Sequence, residues 1–131
     1  LDGFNRNLRN EIKKGKKIYF YDNGIRNAIL NNFNSLNLRD DVGKLWENFL
    51  ISERMKTNSY HLKNFKTYFW RTHAQQEIDF LEEADGKISA YEFKWNERTK
   101  AKIPKNFSET YNPEIEKIIT KDNFHEFVIN R

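Results

Sequence analysis

The sequence predicts an α/β fold with a mixed central sheet flanked by helices, and three observations carry that reading. Residues 41–55 have the apolar spacing of a helix buried along one wide face. Residues 77–95 alternate like two strands around an Asp85-Gly86 turn, a strong short-range hairpin signal. Aromatic or β-branched runs at 18–21, 67–71 and 115–120 supply further strands. At 131 residues the chain is one domain's worth and long enough to bury a core.

Residues 1–16 are polar and basic without periodicity, and read as a linker or the end of a preceding segment; residues 17–131 read as the domain. The strand at 18–21 is stopped by the turn signal Asp22-Asn23-Gly24. Residues 25–33 then look helical, with Ile25, Ile29 and Phe33 on one face. The long helix begins near Asp40 or Asp41, either of which can cap its free amide groups. Val42, Leu45, Trp46, Phe49 and Leu50 follow the i, i+3, i+4, i+7, i+8 pattern, and Ile51 and Met55 widen the stripe. Glu47 has Leu50 and Ile51 one turn on, at the border of the apolar face, while Glu53 falls near its centre. After the hairpin, Pro104 and Pro113 bracket one or two helical turns at 105–111. A last strand at 115–120 and a closing helix at 122–128 complete the order.

Composition narrows the function classes. There is no cysteine, so disulfides and thiolate metal sites are excluded, which fits a reducing compartment and a cytoplasmic location. No apolar run reaches the ~18 residues of a membrane span, and no membrane partner is expected. Net charge is only +4, but it is unevenly placed. Arg6, Arg9, Lys13, Lys14, Lys16 and Lys17 form one basic run; Lys94, Arg98, Lys100, Lys102 and Lys105 form another. Arg98, Lys100 and Lys102 are candidate nucleic-acid contacts, and the same runs also suit a solvated basic surface.

The hairpin carries the chemistry. A two-residue turn at Asp85-Gly86 sets Asp79 opposite Glu92 and Glu77 opposite Lys94. Ile78, Phe80, Tyr91 and Phe93 then form the other, core-facing side. Like charges directly across a ladder are destabilising, so Asp79 against Glu92 demands a reason. Opposed Cβ atoms lie roughly 4.5–5.5 Å apart, close enough for two carboxylates to share one small divalent cation. Mg²⁺ takes oxygen ligands and keeps several waters, so two or three carboxylates suffice. Lys94 lies on the same strand face as Glu92, roughly 6.6 Å along, where an ammonium can orient a water or steady developing negative charge.

Asp79 followed by Glu92-Phe93-Lys94 resembles the Asp…Glu-x-Lys signature of the PD-(D/E)XK nuclease superfamily, with no proline before the aspartate. A glutamate on the preceding helix, here Glu47, accompanies that signature in Holliday-junction resolvases and their relatives. The resemblance implies a restriction-endonuclease-like core. It makes Glu47, Asp79 and Glu92 ligands of Mg²⁺ or Mn²⁺, and Lys94, Glu92 and Asp79 the catalytic set. Longer strings resemble the C-terminal domain, of unsettled function, found behind the AAA-type ATPase domain of many bacterial and archaeal proteins. They are Lys17-Ile-Tyr-Phe-Tyr-Asp-Asn-Gly-Ile-Arg-Asn-Ala-Ile29, Gly43-Lys-Leu-Trp-Glu-Asn-Phe-Leu50, Tyr68-Phe-Trp-Arg-Thr72, Gln76-Glu-Ile-Asp-Phe80 and Tyr91-Glu-Phe-Lys-Trp-Asn96. That likeness implies a covalently linked ATPase domain in a longer protein, with ATP bound only there, since this chain has no Walker motif.

Two functions remain open on the sequence. One is a Mg²⁺-dependent nuclease module acting on DNA. The other is a catalytically silent module that binds nucleic acid or a partner and regulates the ATPase. The facing carboxylates beside Lys94 favour the first; Glu77 opposite that lysine, as a simple ion pair, favours the second.

Overall fold

The computed structural model describes residues 1–6, 11, 16, 17, 19, 42–95 and 101–129. Over these residues the elements run β1 (Asp2–Gly3), α1 (Val42–Tyr60), β2 (Lys66–Arg71), β3 (Glu77–Ala84), β4 (Lys87–Phe93), α2 (Lys105–Tyr111), β5 (Ile115–Ile119) and α3 (Phe124–Ile129). The expected strand at 18–21, Tyr19 excepted, the expected helix at 25–33 and the capping aspartates Asp40 and Asp41 lie outside the described residues.

Among the described residues one mixed sheet forms, in the order β1-β2-β3-β4-β5. β1 runs parallel to β2 and β5 parallel to β4, while β2, β3 and β4 form an antiparallel centre. The fold is therefore α/β with a mixed sheet and flanking helices, and the hairpin sits in its middle. The hairpin register is the one the turn dictates: Phe80 faces Tyr91, Leu81 faces Ala90 and Ala84 faces Lys87. Asp85 at φ 54° and Gly86 at φ 76° both take the left-handed conformation that a tight two-residue hairpin turn requires.

α1 continues past Met55 to Tyr60, because its last turn has partners in the fold. Asn58 is buried against Glu82, and the helix closes with the Lys63 amide donating to the Asn58 carbonyl at 2.8 Å and Leu62 left-handed at φ 57°. Glu53, set in the apolar stripe, pairs with Lys56 one turn on.

Both faces of the sheet are covered, which corrects the expectation of a single core-facing side to the hairpin. On one face Trp46, Phe49 and Leu50 of α1 pack with Phe80, Tyr91, Phe93 and the α3 residues Phe124 and Phe127. On the other, Ile78 and Leu81 pack with Phe4, Trp70, Ala90 and the α2 residue Phe107. Ile78 thus leaves Phe80, its expected companion. The cause is a β-bulge: Tyr68 pairs with Leu81 but Trp70 pairs with Ile78, so three residues of β3 answer two of β2. One extra residue reverses the in-out parity of the strand on either side of it.

One buried polar contact spans three elements. Glu82, only 2 % exposed on β3, accepts from Arg54 Nε and Nη2 at 2.9 Å each and from Asn58 Nδ2 at 2.7 Å. The same guanidinium donates to the Phe127 carbonyl at 2.8 Å, tying α1 and β3 to α3. Burial works against the charged guanidinium, but its paired hydrogen bonds to Glu82 hold the Arg54 pKa above its ordinary value.

Candidate functional site

The bulge in β3 sits at Asp79, where the hairpin ladder also ends. Beyond the pair Phe80–Tyr91, side chains serve the backbone donors. The Asp79 amide donates to Glu92 Oε1 at 3.0 Å, and the Phe93 amide donates to Asp79 Oδ2 at 2.8 Å. Each carboxylate therefore caps the opposite strand, and the two carboxyls come into hydrogen-bonding contact with each other. Asp79 and Glu92 meet at the open end of the hairpin through these side-chain caps, not as the directly opposed ladder pair the turn predicts, because the ladder stops at Phe80–Tyr91.

Two carboxyls in contact cannot both carry full charge cheaply. Burial, then the hydrogen bond and charge of Asp79, push the Glu92 carboxyl up to about 9, with Lys94 pulling weakly in the opposite direction. Glu92 is thus held toward its protonated form at neutral pH.

Glu47 approaches from α1, the helix whose apolar face places it over the sheet. Its carboxyl is also raised, first by burial and then by the charge of Asp79, while Lys17 opposes both. The link between Glu47 and Asp79 is Lys17, whose ammonium pairs with Glu47 Oε1 and lies 3.7 Å from Asp79 Oδ1. Among the described residues no three Asp, Glu, His or Cys side chains are grouped so as to hold a metal ion. The structure thus joins Asp79 directly to Glu92, and Glu47 to Asp79 through a lysine.

Lys94 is half-buried beside Glu92, its amide bound to the Ile119 carbonyl at 2.9 Å so that β5 holds it in place. The expected cross-strand pair with Glu77 does not form. Glu77 faces Arg71 on β2 and accepts from its Nε at 3.1 Å, because the hairpin ladder has already parted by that point. Lys94 acts on Glu92 through its charge, which is the weakest of the influences on that carboxyl.

Of the candidate nucleic-acid contacts, Lys102 is exposed, and Arg98 and Lys100 lie outside the described residues. The N-terminal basic run is largely neutralised where it is described: Arg6 forks onto Glu83, Lys16 lies 4.0 Å from Asp2, and Lys17 is held by the acidic cluster.

Sequence reasoning missed Lys17 as a member of the site. The signal available was its place directly before an aromatic strand-like run, but nothing in spacing points from there to Glu47. It also missed the buried Glu11, which accepts from Trp70 Nε1 at 2.6 Å and Tyr111 Oη at 2.5 Å and so ties the N-terminal segment to β2 and α2.

No helix among the described residues is long and apolar enough to cross a membrane. No curated protein and no solved structure matches the chain. One family does: its match runs over residues 42–130, more than half of the chain, and takes in α1, the hairpin with Asp79, Glu92 and Lys94, and everything after it. The chain belongs to that family, described as a domain of unknown function (DUF4143).

Proposed function

We propose that this chain is a restriction-endonuclease-like module that hydrolyses phosphodiester bonds in DNA with a divalent cation, in the cytoplasm, as the C-terminal part of an AAA-type ATPase. The observation that carries the reading is the contact between Asp79 and Glu92 at the parting of the hairpin, with Lys94 beside it. Opposed acids in a half-buried position cost stability, and a fold that keeps them at the centre of its sheet gains by putting them to use.

The donor set suits Mg²⁺ or Mn²⁺. Mg²⁺ is ordinarily held by one or two carboxylates, with waters and substrate phosphate completing the shell. Asp79 and Glu92 provide those two carboxylates from neighbouring strands, and Glu47 adds a third acid within reach of Asp79's charge. A bound divalent cation supplies Lewis-acid charge to a phosphodiester oxygen and makes a water acidic. The protein's own part is positional. The β3 and β4 amides orient both carboxyls, β5 holds the backbone at Lys94, and the Lys94 ammonium orients the attacking water and balances charge developing on the phosphate. Lys102, Arg98 and Lys100 follow on the chain and supply contacts to the DNA backbone.

A silent binding module that regulates the ATPase is the second reading, favoured by one observation: Lys17 already pairs with Glu47 and lies near Asp79. The two readings separate in one assay set. Linear, branched and single-stranded DNA are offered with Mg²⁺ or Mn²⁺ to the chain alone and to the chain joined to its ATPase. In the nuclease reading Lys94→Ala abolishes cleavage while metal and DNA binding persist, since it removes an interaction made mainly in the transition state. Asp79→Ala loses cleavage and metal together. If the joined protein leaves every substrate intact, the silent module takes the nuclease's place.

A further inference from the structure

The nuclease reading gives Lys17 no role, yet among the described residues its ammonium is the cation most closely engaged with the acidic cluster. It pairs with Glu47 Oε1 and lies 3.7 Å from Asp79 Oδ1, and 5.7 Å from the centre of the Phe69 ring. The other oxygen of Asp79 is committed to the Phe93 amide, and Glu92 Oε1 is committed to the Asp79 amide. Lys17 therefore meets the Asp79 oxygen that the strand backbone leaves available, which is the oxygen an incoming cation would take. The lysine, glutamate and aspartate side chains are 23, 26 and 16 % exposed, so water screens these charges only in part.

Charge balance points the same way. With Glu92 protonated, Glu47 and Asp79 are balanced by the two ammoniums, Lys17 and Lys94. A divalent cation that displaces the Glu92 proton leaves one surplus positive charge, and removing Lys17 from the cluster cancels it. A lysine on its flexible four-carbon stem is suited to leave, being a compact and strongly hydrated point charge.

We propose that Lys17 is a built-in counter-ion that competes with a divalent cation for Glu47 and Asp79: its ammonium joins the two acids while no metal is bound, and swings out as the metal enters. The inference rests on the metal-site reading above and assigns Lys17 a positioning role, in which it keeps the acids poised and sets how tightly the cation is held.

Mn²⁺ alone is the probe. Its affinity is measured by calorimetry on the full chain and on Lys17→Met, which keeps the apolar stem and loses the charge. With its competitor gone, the variant should bind Mn²⁺ about tenfold more tightly. A second measurement needs no variant: acetylation of Lys17 in the parent, read by mass spectrometry against the exposed Lys105, should rise severalfold when Mn²⁺ is added. Equal or weaker Mn²⁺ binding by a folded Lys17→Met overturns the proposal. If that variant does not fold, unchanged Lys17 labelling in a parent that binds Mn²⁺ overturns it instead. Absence of Mn²⁺ binding in both proteins sinks the metal-site reading itself, and this inference with it.

Discussion

Asp79→Asn should make this protein less sensitive to alkaline pH. In the parent, burial together with the Asp79 hydrogen bond and charge lift Glu92 from the ordinary 4.5 to about 9. The folded state therefore keeps a proton that the unfolded chain releases. The stabilisation is complete below the unfolded value and is lost as pH rises toward the folded one. A single such group tilts stability by at most about 1.4 kcal/mol per pH unit inside that window. Between pH 5.5 and 8.5 this sets a ceiling of roughly 4 kcal/mol, which partial solvent access lowers to about 2 kcal/mol. Against a total of roughly 5–15 kcal/mol that is a measurable slope. In Asp79→Asn the amide oxygen can still accept from Phe93, and Glu92 stays buried, but the acidic neighbour is gone. Glu92 then titrates lower, and the slope above pH 7 shrinks to about half the parent's. The assay is urea unfolding of both proteins at several pH values with a chelator present. Glu47, which the Asp79 charge also raises, moves in the same direction in the variant, and the more distant titrating groups are shared by the two proteins and cancel in the difference. Equal slopes would refute the reasoning, because Asp79 would then have no hold on the Glu92 proton.

Two further outcomes follow from the same geometry. Glu82→Ala leaves the Arg54 guanidinium buried without its partner and should destabilise the fold by about 3–5 kcal/mol, whereas Arg54→Met combined with Glu82→Leu should recover most of the loss; denaturant midpoints at fixed pH check both. Mn²⁺ or Mg²⁺ at about a hundredfold its dissociation constant should add about 2.7 kcal/mol to the parent and nothing to Asp79→Ala, read as a calorimetric shift in melting temperature.

Local chemistry determined what depends on neighbours along the chain. Asp85-Gly86 can close a two-residue turn whatever surrounds it, and that turn sets the register from Ala84–Lys87 to Phe80–Tyr91, bringing Asp79 and Glu92 to the open end of the ladder. The apolar spacing of α1 likewise placed Glu47 at the edge of its buried face, and the prolines framed α2. Where the sequence misled, a third strand or a distant segment had decided the outcome. Period-2 alternation put Ile78 with Phe80, but the bulge that separates them exists only in the pairing of β3 with β2. The same parting of the strands sent Glu77 to Arg71 rather than to Lys94. Glu53 looked misplaced until Lys56 is seen beside it, and Glu82 looked like any strand glutamate until α1 brings Arg54 and Asn58 over it. Lys17 read as one cation in a basic run, yet it meets Glu47 across a sequence separation of 30 residues. Composition and spacing carry no record of such a contact, because charges find their partners only after α1 has been laid on the sheet by its apolar face.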